Sequence, residues 1–160
     1  MIIIVMGVAG SGKTTIGSRL ANELSWKFYD ADDFHSESNR AKMSLGIALT
    51  DADRAGWLIT LKELIAENIQ ENISAVLACS ALKDSYRNTL KVNEQVKFIY
   101  LQGTYQQIEK RLNNRTGHFM SVGMLDSQFR TLEEPQNALT IDISHTPQEI
   151  ISIIYKGLNL

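Results

Sequence analysis

Five apolar residues, Ile2-Ile3-Ile4-Val5-Met6, run straight into Gly7-Val8-Ala9-Gly10-Ser11-Gly12-Lys13-Thr14, and no other stretch constrains the fold as much. A continuous β-branched run marks a strand buried on both faces, and such strands belong to parallel sheets covered by helices. The segment from Gly7 to Thr14 matches G-x-x-x-x-G-K-[ST], the phosphate-binding loop or P-loop. Glycine tolerates φ > 0, so successive N–H groups can turn into one concavity, and the next helix adds its positive end to the same anion. Lys13 supplies a mobile charge for β- and γ-phosphates, and the Thr14 hydroxyl is a ligand for Mg²⁺. With Thr15 these residues form the expected nucleoside triphosphate site. The plain alternative is a ligandless glycine turn. Chance produces the pattern in roughly one chain of this length in a few hundred, and the strand before and helix after make it rarer still.

The rest of the chain alternates apolar runs of strand length with helical periodicity, which predicts an α/β fold with a mainly parallel five-stranded sheet flanked by helices. The spacing of Ile16, Leu20, Ala21 and Leu24 predicts a helix over Lys13 to Leu24. Further strands are expected at Lys27 to Tyr29, Ala75 to Cys79, Val96 to Leu101 and Ala138 to Ile143. A short helix from Ser36 to Leu45 stops at Gly46, and a long one starts near Thr50, with Trp57, Leu58, Leu61, Leu64, Ile65 and Ile69 as its apolar stripe. Helical stretches are also expected at about Lys83 to Lys91 and up to about Glu133. Thr104 with Gln107, and Thr146-Pro147 with Glu149, read as capping boxes opening two more helices. Trp57, Cys79 and Met43 read as core.

At 160 residues the chain fits one domain on a prior of roughly 150 residues each, with no internal repeat or linker. Sixteen Lys+Arg against eighteen Asp+Glu leave a net charge of -2, and no basic groove with interleaved aromatics is visible, so a nucleic-acid partner is not expected. Positive charge for an anionic ligand has to be local. The single cysteine excludes an intrachain disulfide and cysteine-cluster metal sites. The apolar N-terminus lacks a basic flank and a cleavage site, and no run reaches the roughly 18–20 apolar residues of a membrane span, so no membrane association is expected and a cytoplasmic protein is.

Many P-loop proteins hold Mg²⁺ with an aspartate at the end of an apolar strand, but here the third strand ends Ala78-Cys79-Ser80. The carboxylates cluster instead after the second strand, as Asp30-Ala31-Asp32-Asp33, where ligands of an open parallel sheet meet the strand ends. Asp30 is the candidate for steadying the metal, and Asp32 for taking the proton of an acceptor hydroxyl. Asp33 reads as a solvated helix-capping turn.

The chain resembles the gluconate kinases, small P-loop kinases related more distantly to shikimate and nucleoside monophosphate kinases. The resemblance rests on Met6 to Thr14, Asp30-Ala31-Asp32-Asp33-Phe34-His35, Asn39-Arg40-Ala41-Lys42-Met43, Asp51-Ala52-Asp53-Arg54 with Trp57-Leu58, Cys79-Ser80-Ala81-Leu82-Lys83 with Tyr86-Arg87, and Gly117-His118-Phe119 onward to Leu132-Glu133-Glu134-Pro135. These run in the family's order nearly end to end. Ser36 stands where the family often has proline, Ile47-Ala48 where a Glu-Pro-like pair is usual, and Thr116 where lysine is common.

The resemblance implies a nucleoside monophosphate kinase-like fold with a lid at about residues 113–124, a homodimer, and transfer of the ATP γ-phosphoryl group to D-gluconate. Lys13 and Asp32 are then catalytic, with Arg115 of the lid closing over the phosphates and Arg111 beside the nucleotide. Thr14 and Asp30 serve the metal. Asp32, His35, Arg54, Lys83 and His118 are the candidates for holding the sugar acid, whose carboxylate asks for a guanidinium and whose hydroxyls ask for neutral partners. Arg54 sits in a helical first turn, against the dipole, which marks it for a ligand or for an ion pair with Asp51 or Asp53. Arg87 reads equally as a ligand of substrate or phosphate and as part of a solvated helix face. The rival readings are a kinase for another small hydroxy acid, shikimate included, and an ATP-binding regulatory module with no acceptor.

Overall fold

The computed structural model describes residues 1–114 and 122–160. The chain runs β1 (Ile2–Met6), α1 (Lys13–Leu24), β2 (Lys27–Asp30), a 3₁₀ turn (Ala31–Phe34), α2 (Glu37–Ser44), α3 (Asp51–Gln70), β3 (Ala75–Ala78), α4 (Asp84–Leu90), β4 (Val96–Gln102), α5 (Tyr105–Asn113), α6 (Val122–Thr131), β5 (Leu139–Asp142) and α7 (Pro147–Leu158). Among the described residues the strands form one parallel sheet in the order β2-β3-β1-β4-β5. The chain crosses from β1 to the edge strand β2, returns inward to β3 beside β1, and then builds the other half outward through β4 and β5, so the glycine loop lies where the winding reverses and ligands of such sheets bind.

The alternation of β1 explains its unbroken apolar run. Ile3 and Val5 face a core built with Ile16 and Leu20 of α1, Ile108 of α5 and Ile150, Ile151 and Ile154 of α7. Ile2, Ile4 and Met6 face the opposite core, with Trp57, Leu58, Leu61 and Ile65 of α3 and Tyr86 and Leu90 of α4. A strand with helices on both faces has no polar side, so a charge at any of these positions would be buried without a partner.

Helix starts follow the expected chemistry. Thr104 with Gln107 and Thr146 with Glu149 form capping boxes, and Thr50 with Asp53 forms a third that the sequence reading marks only as a start near Thr50. Each such cap stabilises its helix by about 1 kcal/mol. Ser36 accepts from Asn39 N–H as N-cap of α2, a service proline could not give, so the departure from the family pattern has a local use. α1 has Gly12 at φ 101° as its N-cap, and no side chain caps it. Its first N–H groups stay available to an anion.

Among the described residues no helix is long and apolar enough to cross a membrane.

Candidate active site

A cleft of about 320 Å³ opens over the carboxyl ends of β1, β2 and β3. That size suits a small polar substrate beside a phosphate chain. Its walls are the glycine loop with the start of α1, the acidic turn, the facing ends of α2 and α3, and one face of α6.

The loop contributes Ala9, Gly10, Gly12, Lys13, Thr14 and Thr15 to the lining, while Gly7, Val8 and Ser11 lie buried beneath it. Its curvature demands glycine. A Cβ on Gly7 would lie 2.6 Å from Ser11 Oγ and 2.9 Å from the Leu101 carbonyl, and Gly12 needs its left-handed φ to turn the chain into α1. Lys13 Nζ donates to the Val8 carbonyl at 3.0 Å, so the ammonium arches back over the loop. The Ser11 hydroxyl is buried and has no hydrogen-bond partner among the described residues. Uncapped helix, left-handed glycines, arched lysine and an unsatisfied hydroxyl together fit a polyphosphate.

Asp30 ends β2 and joins the two halves of the site. One carboxylate oxygen accepts from Thr14 Oγ1 at 3.1 Å, and the other from Asp32 N–H at 3.0 Å. Among the described residues no three His, Cys, Asp or Glu side chains converge into a metal cage. The Thr14–Asp30 oxygens are the hard donors beside the loop, and they suit a cation that takes its remaining ligands from phosphate and water.

Asp32 sits one residue into the 3₁₀ turn with its side chain open to the cleft. The surrounding protein partly desolvates its carboxyl, and that effect, with the nearby Asp30 charge, raises its pKa above the ordinary carboxylate value against the pull of Lys13. Arg40 holds the turn in place by donating to the carbonyls of Asp33 and His35. Asp33 is exposed, as its sequence position suggests.

His35 is buried, stacked on Trp57, and hydrogen-bonded through Nδ1 to the Asn39 amide at 3.3 Å. Burial, with the Arg54 and Arg40 charges, pushes its pKa down to about 4, so the ring is neutral at physiological pH and offers a substrate hydroxyl an uncharged partner. Trp57 is itself pinned, its Nε1–H donating to the Ala31 carbonyl at 2.7 Å.

Arg54 lines the cleft opposite the acids. Neither helical neighbour takes it: Asp53 pairs with Lys42 at 2.7 Å, and Asp51 pairs with Lys83 at 3.0 Å. Arg54 donates instead to Tyr86 Oη at 3.1 Å, and Tyr86 in turn donates to Asp51. The guanidinium keeps most of its donors for a ligand.

The remaining expectations are distributed differently. Lys83 is engaged by Asp51 and does not line the cleft. Arg111 stands on the far side of the loop, donating to the Ile143 carbonyl at 2.6 Å and reaching the Ser11 carbonyl at 3.5 Å. Arg87 neither lines the cleft as a ligand of substrate or phosphate nor lies on a solvated face. It is buried, and its guanidinium donates to the carbonyls of Ala81, Leu82 and Glu133 and to Asp84, tying α4 to the segment after α6. Arg115 and His118 lie outside the described residues.

Trp57 and Cys79, read as core, are buried in it and also line the cleft, whereas Met43, read the same way, is only half-buried, lies outside both apolar cores and lines the cleft. Burial pushes the Cys79 thiol up to about 12, which leaves it protonated and inert. The sequence reading missed Met124, Ser127, Gln128 and Thr131 of α6 altogether. Their spacing of three and four residues on a helix was the available signal.

The family model described as shikimate kinase matches residues 9–152. A probable gluconokinase of Mus musculus is 40% identical over 98% of this chain and 97% of its own length. The thermosensitive gluconokinase of Escherichia coli (strain K12) is 46% identical over 89% of this chain and 79% of its own. Among solved structures, a gluconokinase from Sinorhizobium meliloti 1021 superposes with a TM-score of 0.90 at 37% identity, covering 98% of this chain and 90% of that one.

Proposed function

This chain belongs to the gluconokinases within the shikimate kinase family, and from that membership we propose how its own residues phosphorylate D-gluconate from ATP, giving 6-phospho-D-gluconate and ADP. The observation that carries the reading is the placement of Lys13 and Thr14, Asp30 and Asp32, and Arg54 on three walls of one cleft. A triphosphate cradle, a carboxylate base for the proton of the acceptor hydroxyl and a guanidinium for the substrate carboxylate are the three things that this reaction needs.

The glycine loop and Lys13 hold the phosphates, and Arg111 borders the loop on the nucleotide side. Mg²⁺, held by Thr14 with Asp30 behind it, would neutralise charge on the phosphates when bound. Arg54 receives the gluconate carboxylate in its planar fork, and His35 and Asp32 meet hydroxyls. Asp32 then takes the proton of the 6-hydroxyl as its oxygen bonds to the γ-phosphorus, the bond to the β,γ-bridging oxygen breaks, and ADP leaves. The transition state is loose, so most of the acceleration comes from alignment and charge stabilisation. A carboxyl with a raised pKa is the better base near neutral pH, provided that it is still ionised there.

We further propose that residues 1–160 act as one catalytic domain, that Lys83 reaches substrate only on leaving Asp51, and that the protein works as a cytoplasmic homodimer. Light scattering on the purified protein tests the last point.

The decisive experiment is a coupled ADP-release assay over a panel of acceptors with gluconate first and shikimate and other aldonates beside it. Release stimulated by gluconate above all others is the expected result. Stimulation by another hydroxy acid instead would move the assignment within the family, and no stimulation by any acceptor would leave an ATP-binding module.

A further inference from the structure

Met124, Ser127, Gln128 and Thr131 stand on one face of α6 and form a wall of the cleft. Gln128 reaches across it: its Oε1 accepts the Ala9 N–H at 2.6 Å, joining positions 119 apart in sequence. Because a backbone N–H only donates, the atom that faces it is the amide oxygen. The NH₂ is the other end of an amide that lines the cleft, and the bond to Ala9 uses neither of its two donors.

Ala9 belongs to the glycine loop. It lines the cleft with Asp32 and Arg54, whereas the Ser11 carbonyl, two residues on, faces Arg111 on the other side. A phosphoryl group moving from the triphosphate held by Lys13 to a hydroxyl held by Asp32 crosses the space that those two residues and Gln128 line together. Charge in such a transfer is spread over the peripheral oxygens, and a neutral donor fixed beforehand stabilises it without reorganising.

We propose that Gln128 is a further catalytic residue, oriented through its oxygen by Ala9 and donating from its NH₂ to an oxygen of the phosphoryl group in transfer. This rests on the kinase reading of the cleft. Gln128 gains and loses no proton, so the balance of the transfer is unchanged.

Two variants test it. Gln128→Glu keeps an oxygen for Ala9 and nearly the same shape but replaces the donor with a charged acceptor, whereas Gln128→Ala removes both. The expected result is a kcat at least about 10²-fold lower in Gln128→Glu, with Gln128→Ala falling comparably. The gluconate KM and the affinity for a fluorescent ADP analogue should change little in either. Near wild-type kcat in Gln128→Glu would mean that the side chain acts only on the loop through Ala9, and would overturn the proposal. So would a raised gluconate KM at unchanged kcat, or loss of ADP binding in both variants. If the wild-type protein does not turn over gluconate, it is the acceptor assignment that fails. The same comparison then runs with whichever acid of the panel is phosphorylated, or on acceptor-free ATP hydrolysis.

Discussion

The His35 imidazole lies flat on the Trp57 indole, ring centroids 4.3 Å apart and planes within 14° of parallel. Protonating His35 would place a cation in a buried site with Arg54 and Arg40 nearby and Asp32 Oδ1 3.9 Å from Nε2. Its folded-state pKa of about 4 lies below the ordinary 6.5. Below pH 6.5 the unfolded chain therefore takes up a proton that the folded one refuses, and stability falls as pH drops from 6.5 towards 4. The melting temperature should decline through this window. In His35→Asn, which has no ring to titrate, the decline should be shallower; an equal slope would mean that other groups control it.

Asp32→Asn keeps the shape of the acidic turn, because the turn is held by Asp30 and Arg40 through backbone atoms. The variant should bind ADP normally and lose about 10²- to 10⁴-fold in kcat. In the wild type, the raised Asp32 pKa places the acid limb of the kcat profile above the range of an ordinary aspartate, with activity rising as the carboxyl ionises. A profile lacking that limb, or full turnover in the variant, would remove Asp32 as the base.

Tyr86 steers Arg54 without lining the cleft. Tyr86→Phe deletes that hydrogen bond and the one to Asp51 while keeping the ring over which Arg54 and Lys83 lie. Steady-state kinetics should show the gluconate KM raised about three- to tenfold, the worth of one hydrogen bond, with kcat little changed.

Arg87→Ala should be a stability variant. Removing the guanidinium leaves the carbonyls of Ala81, Leu82 and Glu133 without that donor and loosens the segment after α6 from α4, to which Glu133 then stays tied through the Asp84 N–H. Urea unfolding should show a loss of about 2–4 kcal/mol, and the substrate KM values should hold.

Arg87 also shows where reading a sequence runs out. Helix and strand positions were legible within a residue or two, because capping residues and apolar periodicity act over one or two turns; Thr104, Thr146 and the stop at Gly46 are local chemistry. The glycine loop and acidic turn were legible for the same reason. Arg87 and Lys83 lie four apart on one stretch and read alike, yet one is buried against Glu133 and the other is paired with Asp51, because elements distant in sequence decide the difference. The reach of Gln128 to Ala9 was invisible for that reason, and so was the release of Arg54 from its acidic neighbours, which needed Lys42, Lys83 and Tyr86.

At the top of the sheet Ala78 of β3 stands in register between Val5 of β1 and Asp30 of β2. Adjacent strands are about 4.8 Å apart, so the two flanking strands are separated by roughly 10 Å there. With alanine, cysteine and serine closing β3, the middle of that span is a trough and not a ridge. Moving the acid one strand outward from the usual metal-binding position thus does more than relocate a charge: it sets the width of a berth in which a second molecule can lie alongside the phosphates. A bulky side chain at Ala78 would be expected to evict the acceptor while leaving the nucleotide seated, turning a two-substrate enzyme into a one-ligand receptor.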